Sequence, residues 1–149
     1  MKLFLRRNAP LFYALGAMLA LYIPWLNRGY VNLEFCYTFA AKALAFPGNE
    51  GLFVDHWFNI ANPLGYPIVV GMLYRFFGVR EFWISRLPAV LGAGMILIGL
   101  WLFTRSYWIG KKLFLQLAIL VLLSPMIFVF STTGTADIFP VGLLFLHLD

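Results

Sequence analysis

The sequence predicts an all-α integral membrane protein: a polytopic helix bundle with about four transmembrane helices, the last incomplete, and a long external first loop carrying two short interfacial helices. Of the 149 residues, 62% are apolar and only 11% are charged, which lies far outside the range of soluble domains. Several apolar runs reach 18 residues or more, long enough to approach the thickness of a bilayer. The basic residues flank these runs, so the net charge of +5 indicates membrane orientation rather than nucleic-acid binding.

The first apolar run covers residues 9–26 and follows Lys2, Arg6 and Arg7, with no acid among them. By the positive-inside rule the N-terminus is cytoplasmic and this helix runs outward, and we expect a bacterial inner or plasma membrane. A signal peptide is the alternative. The length of the run, its prolines and the absence of a small-x-small cleavage site favour an uncleaved helix.

Residues 27–86 are predicted to form one external loop. Within it, residues 33–46 place Glu34, Thr38 and Lys42 on one helical face, which predicts an amphipathic helix lying on the membrane surface or against other helices.

A second helix in this loop is predicted to open at Asn62 and Pro63 and to end near Phe77, before Gly78. Its uncharged part, residues 63–74, holds 12 residues, whereas a spanning helix needs about 20. It is therefore predicted to lie at the interface or to re-enter. A true span, with Arg75 snorkelling to the surface, is the alternative.

Residues 87–104 are uncharged and precede Arg105, Lys111 and Lys112, so this span runs inward. Residues 113–136 return outward with a bend expected at Ser124–Pro125, and residues 138–149 begin an incomplete span. The chain is interpreted as one membrane domain, residues 1–149. Because a carboxylate terminus at mid-membrane depth is costly, we expect it to be the N-terminal part of a longer protein.

This topology gathers the acidic side chains on the external side. Carboxylates there can deprotonate an acceptor hydroxyl or hold a divalent cation beside phosphates. Glu34 and Asp137 are the candidate catalytic residues, with helix capping as the alternative for each. Glu50 and Glu81 are interpreted as solvated loop charges.

Asp55 and His56 form a candidate metal-ligand pair, for which a structural histidine is the alternative. Arg75, Arg80 and Arg86 are candidates for contacting a lipid phosphate, with snorkelling as the alternative. The sequence carries no nucleotide-binding glycine pattern, and Gly92-x-Gly94 is interpreted as a site of close helix packing.

Four motifs occur in order along the chain: Asn-Pro-Leu-Gly-Tyr-Pro, Phe-Gly-Val-Arg-Glu-Phe, Ser-Arg-Leu-Pro-Ala-Val-Leu, and Ser-Pro followed by Ser-Thr-Thr-Gly-Thr-Ala-Asp. This order resembles the N-terminal part of the C-type membrane glycosyltransferases, in particular the aminoarabinose-transferase and protein O-mannosyltransferase branch. The resemblance covers about residues 22–149.

The resemblance implies transfer of a sugar from a polyprenyl-phosphate donor on the external membrane face, sometimes with a divalent metal. The second acid of the family falls on Asp137. Where the family's first loop has an opening aspartate this chain has Asn32, and Glu34 follows two residues later. The resemblance also implies that 149 residues alone are inactive, because the family is several times longer. The alternative function is a non-catalytic accessory transmembrane subunit that packs against other membrane subunits.

Overall fold

The computed structural model describes residues 2–29, 34–46, 65–77, 82–108, 110–133 and 137–147. These ranges are helical and contain no strand, so the predicted all-α class is confirmed for them. The helices, in chain order, are α1 (Lys2–Tyr22, continued by a 3₁₀ turn at Ile23–Trp25), α2 (Glu34–Ala45), α3 (Gly65–Phe77), α4 (Phe82–Ser106), α5 (Lys111–Leu123), α6 (Pro125–Thr132) and α7 (Ile138–Phe145).

Helix α4 is the centre of the fold, and α1 lies antiparallel to it. The Trp101 indole N–H donates to the Asn8 side chain at 3.2 Å near one end of the pair. At the other end Arg86 donates to the Leu26 carbonyl at 2.8 Å. Because Arg86 and Trp101 are 15 residues apart, the two helices run side by side for about 22 Å.

Helices α5 and α6 run back along this pair and are separated by a bend of 64°. Ser124 causes the bend: its backbone is extended, its Oγ accepts from the Ile127 N–H at 3.5 Å, and Pro125 begins the next helix. The predicted bend at Ser124–Pro125 is confirmed. Phe128 in α6 packs edge-on against Tyr22, near the end of α1, with ring centroids 5.4 Å apart.

Helix α7 packs on α4 through backbone-to-backbone contact at glycines. A Cβ on Gly92 would lie 2.6 Å from the Ile138 carbonyl oxygen, and a Cβ on Gly142 would lie 2.8 Å from the Gly92 Cα. A Cβ on Gly99 would collide with Phe145. Only glycine permits this approach, and the order of the contacts makes α4 and α7 parallel. Gly94 faces Leu15 and Met18 of α1 instead.

Helices α2 and α3 form a second layer against the start of α4. Ala41, Val70 and Tyr74 are fully buried between them, and the Cβ position at Gly71 lies 3.1 Å from the Ala41 carbonyl oxygen. Two of the three residues on the polar face predicted for α2 do not point to water, since Glu34 and Thr38 are fully buried. Packing against another helix, one of the two predicted locations, is observed, and the membrane-surface location stays a prediction.

Among the described residues, α4 is long and apolar enough to cross a membrane, over Trp83–Ser106. The bent pair α5–α6 passes the same test of length and composition when taken as one span. Helix α4 begins five residues before the predicted apolar run at 87, because Arg86 has protein partners for its charge and remains within the helix. The start predicted for α3 at Asn62 lies outside the described residues.

Candidate functional site

Arg86 is fully buried where the end of α1, the start of α2 and the start of α4 meet. Its Nε donates to Glu34 Oε1 at 2.6 Å and its Nη2 to Glu34 Oε2 at 2.8 Å, a bidentate pair. Nη1 donates to the carbonyls of Trp25 and Leu26 at 2.9 and 2.8 Å, and Nη2 also donates to the Gly29 carbonyl at 3.0 Å. A guanidinium has five N–H donors, and these five bonds use all of them.

Glu34 begins α2 and is fully buried. The amphipathic spacing predicted a helix here, and the unusual choice of a carboxylate in its buried first turn is explained by Arg86. A buried charge is tolerated when it is paired and hydrogen-bonded, as both charges are in this arrangement. We call this arrangement of Glu34 and Arg86 the buried ion pair.

Tyr66 lies beside the buried ion pair at the start of α3. Its hydroxyl donates to the Ser85 carbonyl at 2.6 Å, which joins α3 to the turn of α4 that carries Arg86. Burial raises the pKa of the Tyr66 hydroxyl well above its usual value of 10.0, and the nearby Glu34 charge raises it further. The phenol is therefore a hydrogen-bond donor throughout the physiological pH range.

Asp137 immediately precedes α7 and is exposed. Its side chain makes no capping hydrogen bond to this helix. It opens onto a cavity of about 570 Å³ between α3 and α7, here called the Asp137 cavity. Tyr66 forms part of the wall, with its hydroxyl bonded to the Ser85 carbonyl, and the remaining walls are glycine or apolar side chains. The lining residues are Gly65, Tyr66, Val69, Asp137, Phe139, Pro140 and Leu143. A single carboxylate in apolar surroundings can accept a proton from a bound hydroxyl.

The candidate residues predicted from the sequence fall into separate places. The structure joins Glu34 to Arg86, although the sequence assigned them to different tasks, and leaves Asp137 in its own cavity. Arg75 is exposed in the last turn of α3, beside Leu44 and Met72 rather than at this cavity. Arg80, Asp55 and His56 lie outside the described residues.

Arg86 and Arg75 therefore do not converge on one phosphate position. Every N–H of Arg86 is already donated to a protein acceptor, so a phosphate would have to displace one of these bonds. Glu34 has no solvent-exposed surface through which an acceptor hydroxyl could reach it in this arrangement. Asp137 is the predicted acid that a substrate can approach.

A divalent metal, which the sequence resemblance implies, needs several oxygen, nitrogen or sulfur ligands close together. The described part of the chain contains no group of three or more histidine, cysteine or acidic side chains that could hold a metal ion. Asp137 alone supplies too few oxygen ligands for Mg²⁺ or Ca²⁺, which take six or more including water. The described lining of the cavity does not fit such an ion.

Comparison of the chain with family models, with curated proteins and with solved structures finds no match in any of the three.

Sequence reasoning missed the role of Tyr66 and the three backbone carbonyls that bind Arg86. Tyr66 could have been noticed as the phenol within the Asn-Pro-Leu-Gly-Tyr-Pro segment, at the start of an apolar helix. The carbonyls of Trp25, Leu26 and Gly29 carry no side-chain signal. They become acceptors because the chain turns after α1 and leaves them without helical donors.

Proposed function

We propose that this chain is the N-terminal membrane portion of a glycosyltransferase that uses a polyprenyl-phosphate-linked sugar on the external face of the membrane. The observation that carries the proposal is the Asp137 cavity. Its volume of about 570 Å³ lies in the range of small-molecule sites, and its walls are mainly apolar, as a lipid-borne substrate requires. The order of motifs along the sequence supports the same assignment.

The proposed topology has α1 crossing outward, α4 inward and the bent α5–α6 pair outward, with the eight residues of α7 beginning an incomplete inward span and α2 and α3 at the external interface. The packing directions support it, because α1 and α5–α6 run antiparallel to α4 whereas α7 runs parallel. The cations Lys2, Arg6 and Arg7 then lie in the cytoplasm, in agreement with the positive-inside rule.

In the proposed reaction Asp137 is the general base. The acceptor hydroxyl gives its proton to the Asp137 carboxylate as its oxygen bonds to the anomeric carbon of the sugar. The bond from that carbon to the phosphate oxygen breaks, and its electron pair leaves with the polyprenyl phosphate. General-base catalysis by one positioned group typically contributes about 10²- to 10⁴-fold to the rate.

The test is sugar transfer by membranes that contain the protein expressed from its complete native coding sequence, with polyprenyl-phosphate mannose and polyprenyl-phosphate aminoarabinose as donors. Asp137→Asn is expected to lower kcat at least about 100-fold without changing the amount of folded protein, whereas Asp137→Glu keeps part of the activity. Wild-type transfer that persists undiminished in Asp137→Asn would contradict the base assignment.

A non-catalytic accessory subunit is the second candidate, and the buried ion pair favours it. Glu34, the acid nearest to the family's first catalytic position, is bonded to Arg86 and closed to solvent. Large apolar side chains such as Phe76, which is 84% exposed, would then pack against a partner membrane subunit. Stoichiometric co-purification with another membrane protein, together with no transfer by the wild-type protein, would favour this candidate.

A further inference from the structure

A second cavity lies at the opposite end of the bundle from the Asp137 cavity. It measures about 650 Å³ and is formed where α1 begins, α4 ends and α5 begins. We call it the basic pocket, because three of its side chains are cationic. Its lining is Arg7, Trp101, Leu102, Thr104, Arg105, Ser106, Trp108, Gly110 and Lys111.

The cations Arg7, Arg105 and Lys111 come from three different helices and all are exposed. The two carboxylates in the described ranges are remote from them: Glu34 is bonded to Arg86, and Asp137 adjoins the turn of α7 that packs on Gly92. No described acid therefore neutralises the pocket, and like charges held together from three helices indicate an anionic ligand.

The start of α5 adds partial positive charge at the same place. Its N-cap residue, Gly110, has no side chain to accept a bond from the first-turn N–H groups, and Lys111 and Lys112 follow. Uncapped N–H groups at a helix N-terminus attract anions, and here they accompany the cationic side chains.

Trp108 adds an aromatic ring at the mouth of the pocket. Its φ of 56° is in the left-handed region, which a tryptophan rarely adopts, and its side chain is 95% exposed. The left-handed conformation is common where a helix ends, as α4 does two residues earlier, and an exposed indole is typical of the headgroup level of a bilayer.

From these observations we propose that the basic pocket binds the phosphate of an anionic phospholipid headgroup in the cytoplasmic leaflet, with the Trp108 indole beside the upper acyl chain. The proposal rests on the membrane topology given above but not on sugar transfer. Apolar Leu102 and the exposed indole favour a lipid over a soluble phosphate, because an acyl chain can contact these apolar groups and a soluble phosphate ion cannot.

The test is native mass spectrometry of the purified full chain in detergent, titrated with phosphatidylglycerol or with phosphatidylcholine. Phosphatidylglycerol is expected to bind with higher affinity. A cation near an anionic headgroup contributes about fivefold in affinity, so Arg7→Gln/Lys111→Gln is expected to weaken phosphatidylglycerol binding about 25-fold.

Arg6→Gln/Lys112→Gln is the matched control. It removes the same net charge from the same two helices, but neither residue lines the pocket, and it is expected to weaken binding less than about threefold. Arg105→Gln alone, expected to cost about fivefold, is the second variant should the first double variant fold poorly by circular dichroism.

An equal loss of affinity in the two double variants would overturn the proposal, since diffuse charge would then explain the binding. Equal affinity for the two lipids would overturn it too. Displacement of phosphatidylglycerol by excess inorganic phosphate, with phosphate bound equally tightly, would assign the site to a soluble anion. Labelling of Ser106→Cys, in a Cys36→Ser background, by a membrane-impermeant thiol reagent tests the topology separately: reaction is expected in opened membranes only, and labelling in intact cells would overturn the cytoplasmic placement. Sugar transfer does not enter either measurement.

Discussion

Replacement of Arg86 by methionine is expected to be the most destabilising single change in the described structure. Methionine fills a similar length of space but removes all five N–H donors. The fully buried Glu34 carboxyl would then lack the bidentate partner that it has at 2.6 and 2.8 Å. The carbonyls of Trp25, Leu26 and Gly29 would lose their donors as well.

The expected cost follows from what is left behind. Removing one partner from a buried ion pair costs about 3–5 kcal/mol, mainly because the other charge remains buried. The three carbonyls add less, because Trp25 and Gly29 are exposed and water can replace the lost donor there. We therefore expect Arg86→Met to lower the free energy of unfolding by about 3–5 kcal/mol.

The measurement is unfolding by sodium dodecyl sulfate in mixed micelles, followed by far-ultraviolet circular dichroism. The double variant Glu34→Gln/Arg86→Met, which removes both charges, is expected to be more stable than Arg86→Met alone, with a coupling energy of about 2 kcal/mol. Arg75→Met is the matched control: it is the same substitution at an exposed site, expected to change stability by less than about 0.5 kcal/mol.

The reasoning would be refuted if Arg86→Met cost no more than Arg75→Met. It would also be refuted if removing Glu34 failed to recover any stability in the Arg86→Met background. In either case the bonds to Arg86 would contribute to local geometry without stabilising the bundle.

Three further changes test other contacts. Gly142→Ala places a Cβ 2.8 Å from the facing Gly92 Cα and is expected to lower the free energy of unfolding by about 1–3 kcal/mol in the same assay. Its control is Gly16→Ala, which has open space at the Cβ position and is expected to be neutral or to stabilise the protein by up to about 1 kcal/mol. Tyr66→Phe removes the bond to the Ser85 carbonyl and is expected to cost about 1 kcal/mol. Because the pKa of Tyr66 is raised in the folded protein, wild-type stability relative to Tyr66→Phe should be constant below pH 10.0 and fall as pH rises further, and a pH-independent difference would contradict this assignment. Asp137→Asn is expected to change stability by less than about 0.5 kcal/mol, since Asp137 is exposed and makes no capping bond; a larger loss would indicate a structural role.

The apolar runs, together with the proline and glycine residues that interrupt them, predict the approximate positions of the helices. The bend at Ser124–Pro125 and the end of α3 at Phe77 agree with the sequence prediction. The observed starts of α1 and α4 differ from the prediction, because both helices begin before the apolar runs and include the charged residues that precede them. Hydropathy marks where a chain prefers lipid, whereas a helix continues for as long as its backbone bonds are made and its charges are accommodated.

The sequence predicts which residues belong to the candidate site but not which of them bond to each other. The sequence identifies Glu34, Arg86 and Asp137 as unusual residues and predicts that they lie on one side of a membrane. It does not indicate that Glu34 and Arg86, 52 residues apart, share two hydrogen bonds. Such a pairing depends on how α2 is folded back against α4. The helical period of α2 indicates its faces but not which neighbour each face meets.

The buried ion pair and the Asp137 cavity are connected through a single turn of α4. Ser85 accepts the Tyr66 hydroxyl, and the next residue, Arg86, holds the end of α1 and the start of α2. Tyr66 is at the same time a wall of the Asp137 cavity. This turn of α4 thus holds α3, the end of α1 and the start of α2, while α7, which follows Asp137, packs on the same helix at Gly92. A structural pair can in this way help to position the carboxylate proposed above as the general base without touching it. The prediction is that Glu34→Gln lowers activity in step with the amount of folded protein, whereas Asp137→Asn lowers kcat at an unchanged amount. If Glu34→Gln instead lowered kcat in fully folded protein to the same extent as Asp137→Asn, Glu34 would have a direct part in the reaction.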